Sequence, residues 1–170
     1  MPVNNKRALR TYLSGGMEYA KGEGVNWRRE MEVWIESNLG HTAFNPNRES
    51  EQFLTRVLPD IAFRDLKKNN LANYTTLVRE LIDTDIHEIA ERSDYVICYW
   101  DDGAQRGAGT TGEVTMARFT GKPVYLVTDL DLQEIPGWIL GCATMVFGSF
   151  DELKEFLLRT YKEKNERTIF

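Results

Sequence analysis

Short apolar runs alternate along this sequence with segments whose apolar residues recur every three or four positions. The continuous runs are typical of strands covered on both faces, and they occupy residues 8–13, 42–44, 95–100, 122–128 and 144–147. Helical periodicity is found at 27–38, 77–90, 110–119, 132–140 and 150–161. Ser149 and Glu152 predict a capping box at the start of the last helix. This order of elements predicts an α/β fold, a three-layer sandwich around a central parallel sheet.

The length of 170 residues predicts one domain over residues 1–170. Only residues 47–75 are difficult to place in it. They contain a short helical segment at 51–58, a break at Pro59-Asp60 and a polar stretch at 64–73. We interpret 47–75 as an insertion, and the sequence leaves open whether it is a lid, an interface or a disordered segment.

Composition excludes several functional classes. The 21 basic and 26 acidic residues give a net charge of −5, which argues against binding to polymeric nucleic acid or to a membrane surface. The two cysteines, Cys98 and Cys142, lie in apolar runs without a CxxC pattern, so neither a disulfide framework nor a metal site is expected. No signal peptide or membrane span is evident, and we expect a cytoplasmic protein.

Glu113 is the first candidate catalytic residue. It follows a glycine-rich loop at 107–112, after the strand at 95–100, near the start of the next helix. The helix macrodipole favours an ionised carboxylate there, and such a carboxylate is a suitable nucleophile for an electrophilic sugar carbon. The alternative is a glutamate that only complements the helix dipole.

Asp85 and Tyr12 are further candidates. Asp85 interrupts an apolar helical row formed by Leu77, Leu81 and Ile89. A carboxylate there requires a partner, a bound hydroxyl or a solvent-exposed edge, because burial of an unpaired charge is costly. Tyr12 lies near the end of the first strand, where its hydroxyl could orient a carboxylate or simply belong to the core.

The Gly15-Gly16 pair after the first strand either brings backbone close to a ligand or makes a turn. It does not form GxGxxG, and no Walker A lysine follows, so dinucleotide and nucleoside-triphosphate sites are disfavoured. A serine-hydrolase GxSxG motif is also missing from the sequence.

Together these motifs resemble the nucleoside 2-deoxyribosyltransferase superfamily, which includes the nucleoside-monophosphate N-glycosidases. The resemblance spans about residues 8–128. The matching elements are 11–15 (TYLSG), Asp85 before 93–97 (SDYVI), 109–113 (GTTGE), Ala117 and 121–124 (GKPV).

The resemblance implies a flavodoxin-like or Rossmann-like sandwich and a double-displacement reaction that retains configuration. Glu113 would attack the anomeric carbon, Tyr12 would hold Glu113, and Asp85 would contact the sugar or assist the departing base. The substrate-binding residues would be Ser14, Gly15, Gly16, Asp102, Gly109 and Thr110. The superfamily needs no cofactor or metal, acts on a nucleoside or nucleotide, and usually forms homo-oligomers whose sites borrow groups from a neighbouring subunit.

Two features depart from the pattern. Transferases commonly carry an aspartate six residues before the nucleophile, where this chain has Gly107, and we consider Asp101 or Asp102 as substitutes. The segment from Asp85 to Asp94 is also one residue longer than usual, which leaves Asp83 as a rival for the role of Asp85.

The leading hypothesis is cleavage of an N-glycosidic bond, with transfer of a 2-deoxyribosyl group to another base or to water. A 5′-phosphate would be held by the 14–16 loop and the following helix, with Arg28 or Arg29 close by. The first alternative is a catalytically silent nucleotide-sensing module on the same fold. A second is an assembly protein, for which Trp27, Trp34 and Trp138 are the only indication.

Overall fold

The structure is a computed structural model that describes residues 7–59 and 62–162. Its centre is a five-stranded, all-parallel sheet in the order β2-β1-β3-β4-β5. The strands are β1 (Arg10–Gly15), β2 (Thr42–Phe44), β3 (Tyr95–Tyr99), β4 (Val124–Val127) and β5 (Met145–Phe147). The strand order reverses direction between β1 and β3, so the carboxyl ends of these two strands form the crevice where ligands bind in such sheets.

Helices cover both faces of the sheet. They are α1 (Val25–Leu39), α2 (Pro46–Val57), α3 (Leu66–Asn69), α4 (Leu71–His87), α5 (Asp102–Arg106), α6 (Gly109–Phe119), α7 (Gly137–Cys142) and α8 (Phe150–Leu157). One core joins Leu13 and Ile97 to α1 and α8, and the other joins Tyr12 and Cys98 to α6 and α7. The predicted three-layer α/β sandwich around a parallel sheet is therefore confirmed.

Side chains of β1 alternate between these two cores. Tyr12 belongs to the core beneath α6 and α7, whereas Leu13 packs on the α1 side. Because strand side chains repeat with period two, Arg10, Tyr12 and Ser14 share one face. The pairing of β1 with β3 continues to Gly15, opposite Tyr99. The strand therefore ends two residues later than its apolar run predicts, because backbone pairing sets its end.

Residues 47–75 are largely helical. They contain most of α2, a 3₁₀ turn at Phe63–Asp65, all of α3 and the start of α4. Helix α4 begins at Leu71, six residues before the apolar periodicity, because the Asn70 side chain caps it by accepting from the Asn73 amide at 3.1 Å. Asp60, half of the predicted break, lies outside the described residues.

The segment at 101–109, which we expect to be a loop, contains the short helix α5. Asp101 caps it, because its side chain accepts from the Ala104 amide at 2.8 Å. At the other end of the chain, the predicted cap of α8 is present: Ser149 accepts from the Glu152 amide at 3.2 Å. The Glu152 carboxylate accepts from Gly148 at 2.9 Å, one residue before the position expected in a capping box.

Helix α4 ends in a π-helical turn at Glu88–Arg92, where the Ser93 amide donates to the Glu88 carbonyl at 2.8 Å. A π-turn accommodates one residue more than an α-turn. It therefore accounts for the longer segment between Asp85 and Asp94 without displacing Asp85 from its face of the helix. No helix in the described residues combines the length and apolar character required to span a bilayer.

Candidate active site

A cavity of about 950 Å³ opens at the carboxyl ends of β1 and β3. Its lining includes these candidates: Gly15, Gly16, Asp85, Gly109, Thr110 and Glu113. The end of β1, the β1 loop (residues 16–24, between β1 and α1), α4 and the start of α6 contribute them, so the fold brings together residues that are up to 98 positions apart in the chain. This is the position at which an α/β sheet of this order binds ligands.

Glu113 lies just past the first turn of α6, and two hydroxyls from β1 hold its carboxylate. The Tyr12 hydroxyl donates to Oε1 at 3.0 Å, and the Ser14 hydroxyl donates to Oε2 at 2.5 Å. Burial raises the pKa of Glu113, whereas Ser14, the positive charge of Arg28 and Tyr12 act in the opposite direction. The carboxylate is therefore fixed in orientation, and these three groups offset part of the cost of burying its ionised form.

Asp85 lines the same cavity as Glu113. Burial, together with the negative charge of Glu113, raises the pKa of Asp85 from 3.8 to about 7. Two neighbouring carboxyl groups share a proton more easily than they both ionise. Glu113 has the richer set of donors, so the geometry favours the proton on Asp85. The rival candidate, Asp83, is exposed and does not line the cavity.

Tyr12 is fully buried and stacks on Phe44 with ring centroids 5.3 Å apart. Burial and the nearby Glu113 and Asp85 charges raise its pKa well above the usual value. Tyr12 therefore remains protonated and can act as a hydrogen-bond donor to Glu113. It is at once a core residue and the partner of the candidate nucleophile.

The structure places two predicted substrate-binding residues elsewhere. Ser14 is fully buried beneath the cavity, where its hydroxyl is engaged by Glu113. Asp102 is exposed at the start of α5 and does not line the cavity. Asp101 caps α5, so neither aspartate occupies the position at which Gly107 meets the cavity.

Gly15 and Gly16 both line the cavity, and close packing leaves no room for a Cβ atom at either position. A Cβ on Gly16 would lie 2.6 Å from the Ala104 amide nitrogen, and one on Gly15 would lie 2.9 Å from the Trp27 ring. The pair therefore brings the β1 loop into contact with α5 and α1, which shapes one wall of the cavity.

Arg28 is fully buried behind this loop. Its guanidinium donates to the carbonyls of Leu13 at 3.0 Å and Gly15 at 2.7 Å, and to Asn47 Oδ1 at 2.9 Å. Arg29 is exposed and lines a separate surface depression. The structure therefore places Arg28 close to the 14–16 loop, where it fixes the loop backbone, and places Arg29 away from the cavity.

A second wall of the cavity is mostly apolar and comes from residues 54–59, 62–63 and 74–81. It is hard to predict from the sequence, because these residues face the cavity and not the sheet. The side chains in this wall are Leu54, Leu58, Phe63, Tyr74, Val78 and Leu81. Phe63 and Tyr74 are stacked with ring centroids 4.9 Å apart. The four-residue spacings 54/58 and 74/78 and the three-residue spacing 78/81 were the available signal.

Carboxylates on the β1 loop are also part of the lining. Glu18 accepts from Lys67 Nζ at 2.7 Å, and Glu23 accepts from Arg64 Nε at 2.8 Å. These ion pairs connect the β1 loop to Arg64 and Lys67, which follow Phe63 of the apolar wall. In the described part of the chain, no group of three His, Cys, Asp or Glu side chains is arranged to hold a metal ion.

No protein-family model matches the chain. No curated protein matches its sequence significantly. The fold is similar to a solved structure of a 2-deoxyribosyltransferase from the psychrotolerant bacterium Bacillus psychrosaccharolyticus, described as a biocatalyst for the synthesis of antiviral and antitumoral nucleosides. The TM-score is 0.57 at 18% sequence identity, over 85% of this chain and 90% of the other. At this identity the likeness establishes a shared fold.

Proposed function

We propose that this protein cleaves the N-glycosidic bond of a 2-deoxynucleoside or its nucleotide and transfers the deoxyribosyl group to another base or to water. The observation that carries the proposal is the Glu113 carboxylate, held by Tyr12 and Ser14 at a cavity that it shares with Asp85. A positioned carboxylate beside a carboxylic acid is the arrangement required for retaining glycosyl transfer. The fold shared with a 2-deoxyribosyltransferase agrees with this chemistry.

In the first half-reaction, a Glu113 oxygen attacks the anomeric carbon and forms an ester bond. The C–N bond breaks, its electron pair passes to the base nitrogen, and the Asp85 proton is transferred to the departing base. The raised pKa of Asp85, about 7, suits a general acid at neutral pH. Tyr12 and Ser14 keep the attacking carboxylate from rotating away from the sugar.

In the second half-reaction, a base nitrogen or a water oxygen attacks the anomeric carbon from the side that the first base left. The ester bond breaks and Glu113 leaves as a carboxylate. The Asp85 carboxylate accepts the proton released by the incoming nucleophile. Two inversions at one carbon retain its configuration.

The two unlike walls of the cavity support a nucleoside as the ligand. The apolar wall, with Phe63 and Tyr74, offers a surface for the flat face of a base. The polar side, with Asp85 and Glu113, offers acceptors for sugar hydroxyls. A molecule with one flat aromatic end and one hydroxylated end fits this division.

A chromatographic product assay tests the proposal. Purified protein is incubated with deoxynucleosides and deoxynucleoside monophosphates, with and without a second free base. A new nucleoside indicates transfer, and free base alone indicates hydrolysis. Glu113→Gln should abolish either product, whereas Glu80→Gln, on the exposed surface of α4, should not. The absence of product with every substrate would overturn the proposal.

A second candidate is a silent nucleotide-binding module on the same fold. It is favoured by one observation: Gly107 lines the cavity where transferases of the superfamily carry an acid, and Asp102 does not replace it. This candidate predicts binding of a nucleotide by calorimetry without turnover, and binding that survives Glu113→Gln. Homo-oligomer formation remains a prediction, which light scattering coupled to size-exclusion chromatography would test.

A further inference from the structure

We propose that Glu18 and Glu23 make this cavity selective for uncharged nucleosides and against their 5′-phosphates. The inference rests on the proposed function and narrows its substrate class. It is based on the charged side chains of the cavity lining, which are mostly acidic.

Acidic side chains predominate in the lining. Five acidic side chains line the cavity, Glu18, Glu23, Glu51, Glu113 and the protonated Asp85. Of the residues that the structure describes, Arg64 is the one basic side chain in the lining. A phosphate dianion in this cavity would therefore meet more negative than positive charge.

Arg64 in the lining and Lys67 close to it in sequence are already paired with carboxylates. Arg64 lies 2.8 Å from Glu23, and its Nη1 lies 3.9 Å from Glu18. Lys67 lies 2.7 Å from Glu18. A phosphate would have to displace a carboxylate from each cation before it could bind either one.

Two polar side chains beside the β1 loop, Arg28 and Ser14, are already engaged and do not replace these cations as donors. The Arg28 guanidinium is directed at the Leu13 and Gly15 carbonyls, behind the loop. The Ser14 hydroxyl is engaged by Glu113. The start of α6 lines the cavity together with Glu113, so an anion at that helix end would lie near the negative charge of the nucleophile.

The backbone of Glu23 supports a specific role for its side chain. Glu23 has φ 52°, between Gly22 at 58° and Gly24 at 68°. A non-glycine residue is strained in this left-handed region, and a third glycine would be easier to accommodate. The strained position places a carboxylate in the cavity lining and against Arg64.

Calorimetric titration of the unmodified protein tests the inference. The probes are a 2′-deoxy-C-nucleoside, whose carbon–carbon bond replaces the bond to be cleaved, and its 5′-monophosphate. We expect the uncharged compound to bind at least about tenfold more tightly at low ionic strength. Raising the salt concentration should reduce the ratio of the two dissociation constants, because salt screens the repulsion between the phosphate and the acidic side chains.

The double variant Glu18→Gln/Glu23→Gln removes the carboxylate partners of Arg64 and Lys67. The ratio of the two dissociation constants should then change about tenfold in favour of the monophosphate. The control Glu80→Gln/Glu155→Gln removes the same charge from exposed positions and should leave the ratio unchanged. Equal or tighter binding of the monophosphate to the unmodified protein would overturn the inference and leave the proposed function standing. Binding of neither probe would overturn both.

Discussion

The hydroxyl of Ser14 lies 2.5 Å from a carboxylate oxygen of Glu113, which is 99 residues further along the chain. Ser14 is the last inward-facing residue of β1, and Glu113 lies near the start of α6. The serine is fully buried, so water does not compete for this contact. The parallel sheet thereby fixes one oxygen of the candidate nucleophile from below and leaves the carboxylate facing the cavity.

Ser14→Ala removes this donor and leaves Glu113 held by Tyr12. Loss of a hydrogen bond to a charged group costs about 1–3 kcal/mol, so we expect kcat to fall about tenfold to a hundredfold with little change in KM. The matched control is Ser93→Ala. Ser93 is also buried, and its hydroxyl has no hydrogen-bond partner within the described ranges. An unchanged kcat in Ser14→Ala would contradict the assigned contact.

The pH profile should reflect Asp85. A general acid with a pKa raised to about 7 is protonated below that pH, so kcat/KM should decline as the pH rises above about 7. Protonation of Glu113 should cause the decline on the acidic side. In Asp85→Asn the remaining kcat/KM should no longer decline above about pH 7. In Asp83→Asn the pH dependence of kcat/KM should be unchanged. An alkaline limb that persists in Asp85→Asn would assign the acid to another group.

The same pKa predicts an effect on stability. Because Asp85 binds its proton more tightly in the folded state, unfolding becomes easier as the pH rises from about 4 to about 7. Asp85→Asn removes this penalty. Its free energy of unfolding relative to the unmodified protein should therefore increase by roughly 1–3 kcal/mol between pH 5 and pH 8. Urea denaturation at the two pH values measures this difference, and a constant difference would show that folding does not raise the pKa of Asp85.

Arg28 should matter more for stability than its exposed neighbour Arg29. Arg28→Met leaves the Leu13 and Gly15 carbonyls without their buried donor, at a cost of about 2–4 kcal/mol in the free energy of unfolding. Arg29→Met should change it by less than about 0.5 kcal/mol. Thermal denaturation of the pair measures the difference, and equal effects would refute the role of Arg28 in fixing the β1 loop.

The sheet could be predicted because short, largely apolar runs alternate with helical segments along the chain. Helix α5 could not, since a segment with glycines at 103 and 107 has low helix propensity. Its formation depends on the Asp101 cap and on Gly103, where a Cβ would lie 2.6 Å from Ala20. The cap is local, but the approach of Gly103 to Ala20 is a tertiary contact that the local sequence does not encode.

At the site, Glu113, Asp85 and Tyr12 could be proposed from the sequence because each departs from its surroundings or matches a motif. The role of Ser14 could not, since a serine in a strand does not indicate a partner 99 positions away. The extra residue after Asp85 raised a doubt that only backbone geometry resolves, because the sequence does not distinguish a π-turn from a shifted helix. Glu18 and Glu23 belong to no motif, and only their place in the cavity lining relates them to the site.

In the proposed reaction, Glu113 becomes covalently bonded to the sugar. The most direct measurement is mass spectrometry of peptides from protein quenched with acid during turnover of a deoxynucleoside. We expect one added deoxyribosyl group on the peptide that contains Glu113. This group should be lost when a free base is supplied before quenching, and it should be absent from Glu113→Gln. Release of base at an undiminished rate by Glu113→Gln, with no sugar attached to any peptide, would contradict the account.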